Sequence, residues 1–216
     1  MKNVFSLDSP LMNFLSRVAD ILLLNFLWLL CCIPVLTIGA STTAMNYAAQ
    51  NLVRDCGRGV FSDFFSAFRR EFRQATGMFL LLLVPYAFIA FDLYLYLTGT
   101  LSSRVMLTVC VLALFLLLLT TGFAYPLLAR FENTTLQTLK NALALSLSNF
   151  PRALLITALN VLPLVVLLFA TDFFLKTLIV WLAAGGGTIC YFDTRILKKL
   201  FARLEDAPAP DGAAEG

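Results

Sequence analysis

The chain has 216 residues, of which 60% are hydrophobic and 13% charged, with a mean hydropathy of +0.85. That is more apolar side chain than one soluble core of this size can hide, so its solvent is expected to be a bilayer. It carries 16 Lys and Arg against 13 Asp and Glu and no histidine. The missing histidine removes the commonest general base, the usual metal ligand and every Ser-His-Asp or Cys-His arrangement, which points to a non-enzymatic protein without a cofactor or metal.

In chain order, Ser9 can cap a helix with Pro10 at its first position, and Leu11, Phe14, Leu15 and Val18 share one face. The apolar stretch 18–53 is too long for one crossing. Pro34 and the turn-prone Thr37-Ile38-Gly39 divide it into two helices. The second, 35–53, carries Ser41, Thr42, Thr43, Asn46, Gln50 and Asn51, which makes it either a marginal span or a re-entrant segment. Its Ala40, Ala44 and Ala48 form a small-residue strip suited to close helix packing in lipid. Gly57-x-Gly59 is too short for a phosphate loop and precedes an amphipathic helix. In that helix Phe61, Phe64, Phe65, Phe68 and Phe72 recur at helical spacing, while Asp63, Arg70 and Arg73 fall elsewhere.

Four further stretches, 77–97, 105–128, 153–170 and 175–192, are each near the ~20 residues a spanning helix needs. Between them, Asn133 or Thr134 can cap a helix carrying Leu136, Leu139, Leu143, Leu147 and Phe150. After the last, Ile196, Leu197, Leu200, Phe201 and Leu204 repeat the pattern beside Lys198, Lys199 and Arg203. Ala183 and Gly187 offer a second small-residue packing face. Pro34, Pro85, Pro126 and Pro163 lie in or at the ends of four spans, as static bends or as hinges. The segment 205–216, acidic and rich in Pro and Ala, is expected to be a disordered, dispensable tail on a single membrane domain, 1–204.

Charge placement sets the expected topology, because Lys and Arg concentrate in the short cytoplasmic segments beside spans. Six spans with the N-terminus inside put 14 of the 16 cations on one side. Five spans with the N-terminus outside put 12 there. The expectation is therefore an all-α, polytopic bundle of six spans in three hairpins, edged by amphipathic cytoplasmic helices, with both termini cytoplasmic. A cleaved signal peptide is disfavoured by Asp8 and Asp20 and by the length of the apolar stretch.

The chemistry on offer is sparse. Cys31, Cys32, Cys56, Cys110 and Cys190 show no C-x-x-C spacing, and four of them sit in or beside apolar spans as small hydrophobes. The cations are spread along the inner membrane edge, which suits lipid headgroups rather than nucleic acid. Asn25, Asn46, Gln50 and Asn160 can line a hydrophilic path or hydrogen-bond between helices. Asp92 is an interfacial carboxylate or a proton or cation site. The row from Phe61 to Phe72, with Arg70 and Arg73, can lie in the lipid interface or dock a partner.

The stretch from Asp20 through Asn25 to Trp28, followed by Pro34, Thr37, Gly39, Ala40 and Ala44, resembles the N-terminal signature of the YesL-like family of bacterial membrane proteins. Phe64, Phe68, Phe72, Gln74 and Ala75 resemble its second block. Pro126 to Asn133, with Leu139-Lys140-Asn141-Ala142, resembles its third. The resemblance implies a protein of unknown function in the bacterial cell membrane, found in the setting of sugar-uptake ABC transporters and their regulators. It transfers no catalytic or ligand residue. An accessory or regulatory protein of carbohydrate uptake, partnered by a sugar ABC transporter or a membrane sensor, is the leading expectation. A small permease for sugars or metabolites is the alternative, and a lipid-modifying enzyme comes third.

Overall fold

The computed structural model describes residues 10–99 and 104–205. Expectations placed on Lys2, Ser9 and the tail beyond Glu205 lie outside these residues. Among the described residues every regular element is helical: α1 (Pro10–Cys32), a short 3-10 turn (Val35–Thr37), α2 (Ile38–Arg54), α3 (Val60–Leu97), α4 (Arg104–Leu128), α5 (Thr135–Ser148), α6 (Phe150–Phe169), α7 (Thr171–Lys176), α8 (Leu178–Val180), a π turn (Trp181–Gly185) and α9 (Gly186–Glu205).

Among the described residues, four helices are long and apolar enough to cross a membrane: Leu11–Cys32, Val60–Leu97, Arg104–Leu128 and Phe150–Phe169. Their outer surfaces expose Leu80, Leu83, Phe88, Val109, Leu112, Leu164 and Leu168. An apolar exterior of this extent suits lipid rather than water. By length and composition, four of the six expected spans are thus found among the described residues. The two other expected spans differ for opposite reasons, since α2 is short and polar, whereas 175–192 is broken into α7, α8 and the π turn before α9 begins.

Helix α2 is the centre of the bundle. Ala40, Ser41, Thr43, Ala44, Met45, Ala48 and Ala49 are all buried, and its neighbours are α1, α3, α4 and α9. Small residues bring backbones together where lipid offers no hydrophobic drive between helices. At Gly39 the approach is so close that a Cβ would lie 2.4 Å from the carbonyl oxygen of Ala75 in α3. The strip of alanines expected from sequence is therefore a real packing face. In the last span the packing begins at Gly187, whereas Ala183 is exposed, so that second strip is only half used.

Local chemistry explains the boundaries of α2. Pro34 cannot donate a backbone hydrogen bond and restricts the residue before it, so α1 ends just ahead of it. Thr37 Oγ1 donates to the carbonyls of Cys31 (2.5 Å) and Pro34 (2.6 Å), satisfying acceptors that the end of α1 leaves free. At the other end Asp55 closes α2 in the left-handed conformation, φ 55°. Lys198 of α9 donates to the Val53 carbonyl at 3.1 Å, a cation placed at a helix C-terminus. The Gly57-x-Gly59 turn then wraps the Asp63 carboxylate, which accepts from the Arg58 backbone N–H (3.3 Å) and from Asn51 Nδ2 (3.1 Å). A Cβ on residue 57 would strike that carboxylate at 2.3 Å.

The amphipathic cytoplasmic helices need correction. Three of the four are not separate, because the faces starting at Leu11, Phe61 and Ile196 continue into α1, α3 and α9. Helix α3 runs for 38 residues. At about 1.5 Å per residue that is roughly 57 Å, nearly twice a ~30 Å hydrocarbon core. The Phe row occupies its charged first third, and there Phe64 is fully buried against α2 while Phe61 and Phe72 stay exposed. The surface read as open to lipid or a partner is therefore filled from within at Phe64. The face of α9 also turns inward, burying Leu197, Leu200 and Phe201. Only α5 stands alone, packing Thr138, Ala142 and Ser146 inward and exposing Leu136, Leu143 and Leu147. Small residues again face the protein and leucines the outside.

Candidate solute cavity

The late segment is interrupted beside a side chain from α1. Asn25 of α1 donates from Nδ2 to the Leu182 carbonyl (2.6 Å) and accepts at Oδ1 from the Gly187 N–H (2.9 Å). Those two backbone groups lie five residues apart across the end of the π turn. A side-chain amide thus bridges the helix ladder where it is interrupted, a recognised cause of helix deformation. Glycine is required beside it. At residue 187 a Cβ would meet the Ile21 carbonyl oxygen at 2.6 Å, and at residue 186 it would meet Asn25 Oδ1 at 3.0 Å and the Trp28 ring at 3.1 Å. The run of glycines is the seat for Asn25.

The interrupted segment borders a half-open cavity of about 510 Å³, walled also by α1, α2, α4 and α6. That volume lies in the range of small-molecule sites. The rings of Trp28, Tyr125, Phe174 and Trp181 line it, with Phe174 and Trp181 stacked at 5.9 Å. Polar groups converge on the same space: Thr42, Asn46, Thr121, Thr157, Asn160 and Asp193. Several are already held by the fold. Trp28 Nε1 donates to Thr42 Oγ1 (3.2 Å), Asn46 Nδ2 to the Thr42 carbonyl (2.9 Å), and Thr121 shares a 3.0 Å hydrogen bond with Tyr86. Asn160 Nδ2 donates to the Ile156 carbonyl (2.9 Å) and to Asp193 Oδ2 (2.7 Å). Asp193 is only 6% exposed, and its Oδ1 has no hydrogen-bond partner among the described residues; the same holds for Thr157 Oγ1.

Of the residues singled out from sequence, the cavity gathers two, Asn46 and Asn160. Asn25 sits behind its wall as the wedge. Gln50 points elsewhere, donating at 2.9 Å to the carbonyl of Pro126 in the last turn of α4, where helix acceptors have no intrahelical partner. Asp92 lies apart, half-buried and accepting from Cys110 Sγ at 3.7 Å. Arg70 pairs with Glu71 (2.6 Å) and rests over the Tyr47 ring, 4.9 Å from its centroid, while Arg73 is exposed.

From sequence, Asp193 falls just after the expected span 175–192 and so stands outside the intramembrane candidates. A signal was present, since Cys190, Asp193, Thr194, Leu197 and Phe201 fall at helical spacing on the buried face of α9. At the end of the bundle beyond the cavity, Arg130 binds Glu205 (2.6 Å) and Arg54 approaches it (3.6 Å). The hydrogen bond from Arg130 holds the Glu205 carboxyl below its ordinary range. Among the described residues, no group of three or more metal-ligating side chains forms.

A family model described as a protein of unknown function, DUF624, matches residues 21–93. That range holds most of α1, the whole of α2 and nearly all of α3, including Asn25, Trp28, Thr42 and Asn46; Asn160, Trp181 and Asp193 lie outside it. No curated protein and no solved structure gives a significant match to the chain. YesL-like proteins carry this same region, so the match over residues 21–93 is consistent with the resemblance to the YesL-like family, whose function is unknown.

Proposed function

We propose that the protein is a non-enzymatic accessory or regulatory membrane protein of carbohydrate uptake, and that it recognises a small solute in the cavity between α2 and the broken last span. The observation that carries this reading is the lining. Flat aromatic faces beside hydroxyl, amide and carboxylate groups, in about 510 Å³, suit a molecule with an apolar ring face and a hydroxylated edge. The sugar-uptake setting comes from the family resemblance. A bacterial cell membrane location, six crossings with both termini cytoplasmic, and a sugar ABC transporter or sensor as partner belong to the same reading, supported by the placement of Lys and Arg.

The chain has two tryptophans, Trp28 and Trp181, and both line the cavity. Intrinsic emission of the purified protein in lipid nanodiscs is therefore a probe of this site. Titration with glucose should shift that emission saturably. Flat emission up to high millimolar glucose contradicts the reading. For the partner, gentle solubilisation of wild type and Phe61→Glu/Phe72→Glu compares what copurifies. A transporter or sensor recovered with wild type alone supports the accessory role.

One observation favours a permease as the second reading. The last span is discontinuous beside the cavity and Pro163 lines it, as expected where a broken helix moves around a central site. Glucose flux into liposomes holding the purified protein alone, lost on Asn46→Leu, selects this reading over the accessory one.

A further inference from the structure

We infer that the cavity is selective for a sugar-like solute carrying a protonated amine, an amino sugar, with its ammonium seated on Asp193. This deepens the proposed solute site and rests on it. Three observations carry it. Asp193 is the single charged residue among those lining the cavity, and no Lys or Arg accompanies it. Its carboxylate is buried, with Oδ2 engaged by Asn160 at 2.7 Å and Oδ1 unpartnered among the described residues. The same cavity is lined by Trp28 and Trp181, a residue type whose π-cloud attracts cations.

A buried carboxylate without a compensating charge is unfavourable, and Asn160 gives it only one neutral donor. An ammonium brings the opposite charge and three donors in one compact group. Thr157 Oγ1 of α6, also unpartnered among the described residues, provides a further hydrogen-bonding group in the same cavity. The same charge pattern rejects sugar phosphates and sugar acids, which would place an anion against Asp193 without any cation to receive it.

The test uses tryptophan emission at pH 7 with three probes of one ring shape: glucosamine, glucose and N-acetylglucosamine, in which the amine charge is removed. Glucosamine is expected to bind at least about tenfold more tightly than the other two, as for a charge-assisted hydrogen bond replacing a neutral one. In Asp193→Asn that preference should vanish, and a saturable shift of emission with glucose, whatever its midpoint, shows that the variant keeps its cavity. Should Asp193→Asn bind no probe, Asp193→Glu decides: a retained glucosamine preference supports the proposal, and its loss overturns it. Equal affinity for glucosamine and glucose in wild type, or a preference that survives Asp193→Asn, overturns the amine selectivity and leaves the sugar site standing. Flat emission with all three probes removes the solute site itself.

Discussion

Helix α2 and the segment from Thr171 to Asp193 hold the two expected spans that do not form one long apolar helix, and they are opposites. In α2 nearly every side chain that weakens its hydropathy meets protein: Ser41 donates to the Trp28 carbonyl (3.0 Å), Thr43 to Gly39 (3.0 Å) and Gln50 to Pro126 (2.9 Å). The late segment breaks into short pieces, exposes Phe173, Ile179 and Val180, and ends at a carboxylate with one unpartnered oxygen. The two therefore fall short for different physical reasons. Helix α2 is polar because it is a strut hidden from lipid, whereas the late segment is apolar but discontinuous where it lines a cavity.

Truncation of the strut's packing should cost most. Phe64→Ala removes a fully buried ring from the α2 interface and is expected to destabilise by about 3–5 kcal/mol, whereas Phe61→Ala, on an exposed ring, should change stability by about 0.5 kcal/mol or less. Thermal unfolding in detergent compares the two, and equal losses would mean that α2 is not the centre of the bundle. Next comes Gly39→Ala. Its Cβ would press on the α3 backbone, so a loss of about 1–3 kcal/mol is expected. Gly77→Ala, which meets nothing within 4 Å, should cost none.

The late segment should respond more locally. Asn25→Ala leaves the Leu182 carbonyl and Gly187 N–H unpaired, an expected loss of about 1–3 kcal/mol, together with a shift in Trp181 emission that changes at α2 do not produce at equal destabilisation. A melting loss without that shift would show that Asn25 is ordinary packing. The smallest effect concerns Glu205. Its folded pKa lies below the ordinary value, so its pairing with Arg130 contributes above the ordinary carboxylate range and is lost as pH falls through the lowered one. Thermal stability of wild type should drop slightly over that acidic interval relative to Glu205→Gln, and parallel curves would dismiss the pair.

Much of the strut was legible in the residues. The Ala40, Ala44 and Ala48 strip, the break at Pro34 and the start of α5 after Thr134 follow from spacing and capping, which are local. The cavity was not, because its walls come from elements far apart in the chain and its key events are long-range. Nothing near Asn25 in sequence indicates that its amide would enter a ladder more than 150 residues away. Asp193 was hidden for another reason. A hydropathy window ends at the first charge, although the 3.6-residue period carries on through Asp193 to Phe201. The Phe row misled in the reverse sense. Its periodicity is real, but periodicity does not say whether lipid, a partner or α2 covers the face.

The central claim is that strut and broken wall enclose one solute site, with Trp28 on the strut side and Trp181 on the wall. Single-tryptophan variants Trp28→Phe and Trp181→Phe, titrated in nanodiscs with glucosamine and with glucose, test it directly. The account predicts that both remaining tryptophans respond to a given sugar with the same midpoint. Unequal midpoints, or a response from one tryptophan alone, would contradict a shared cavity.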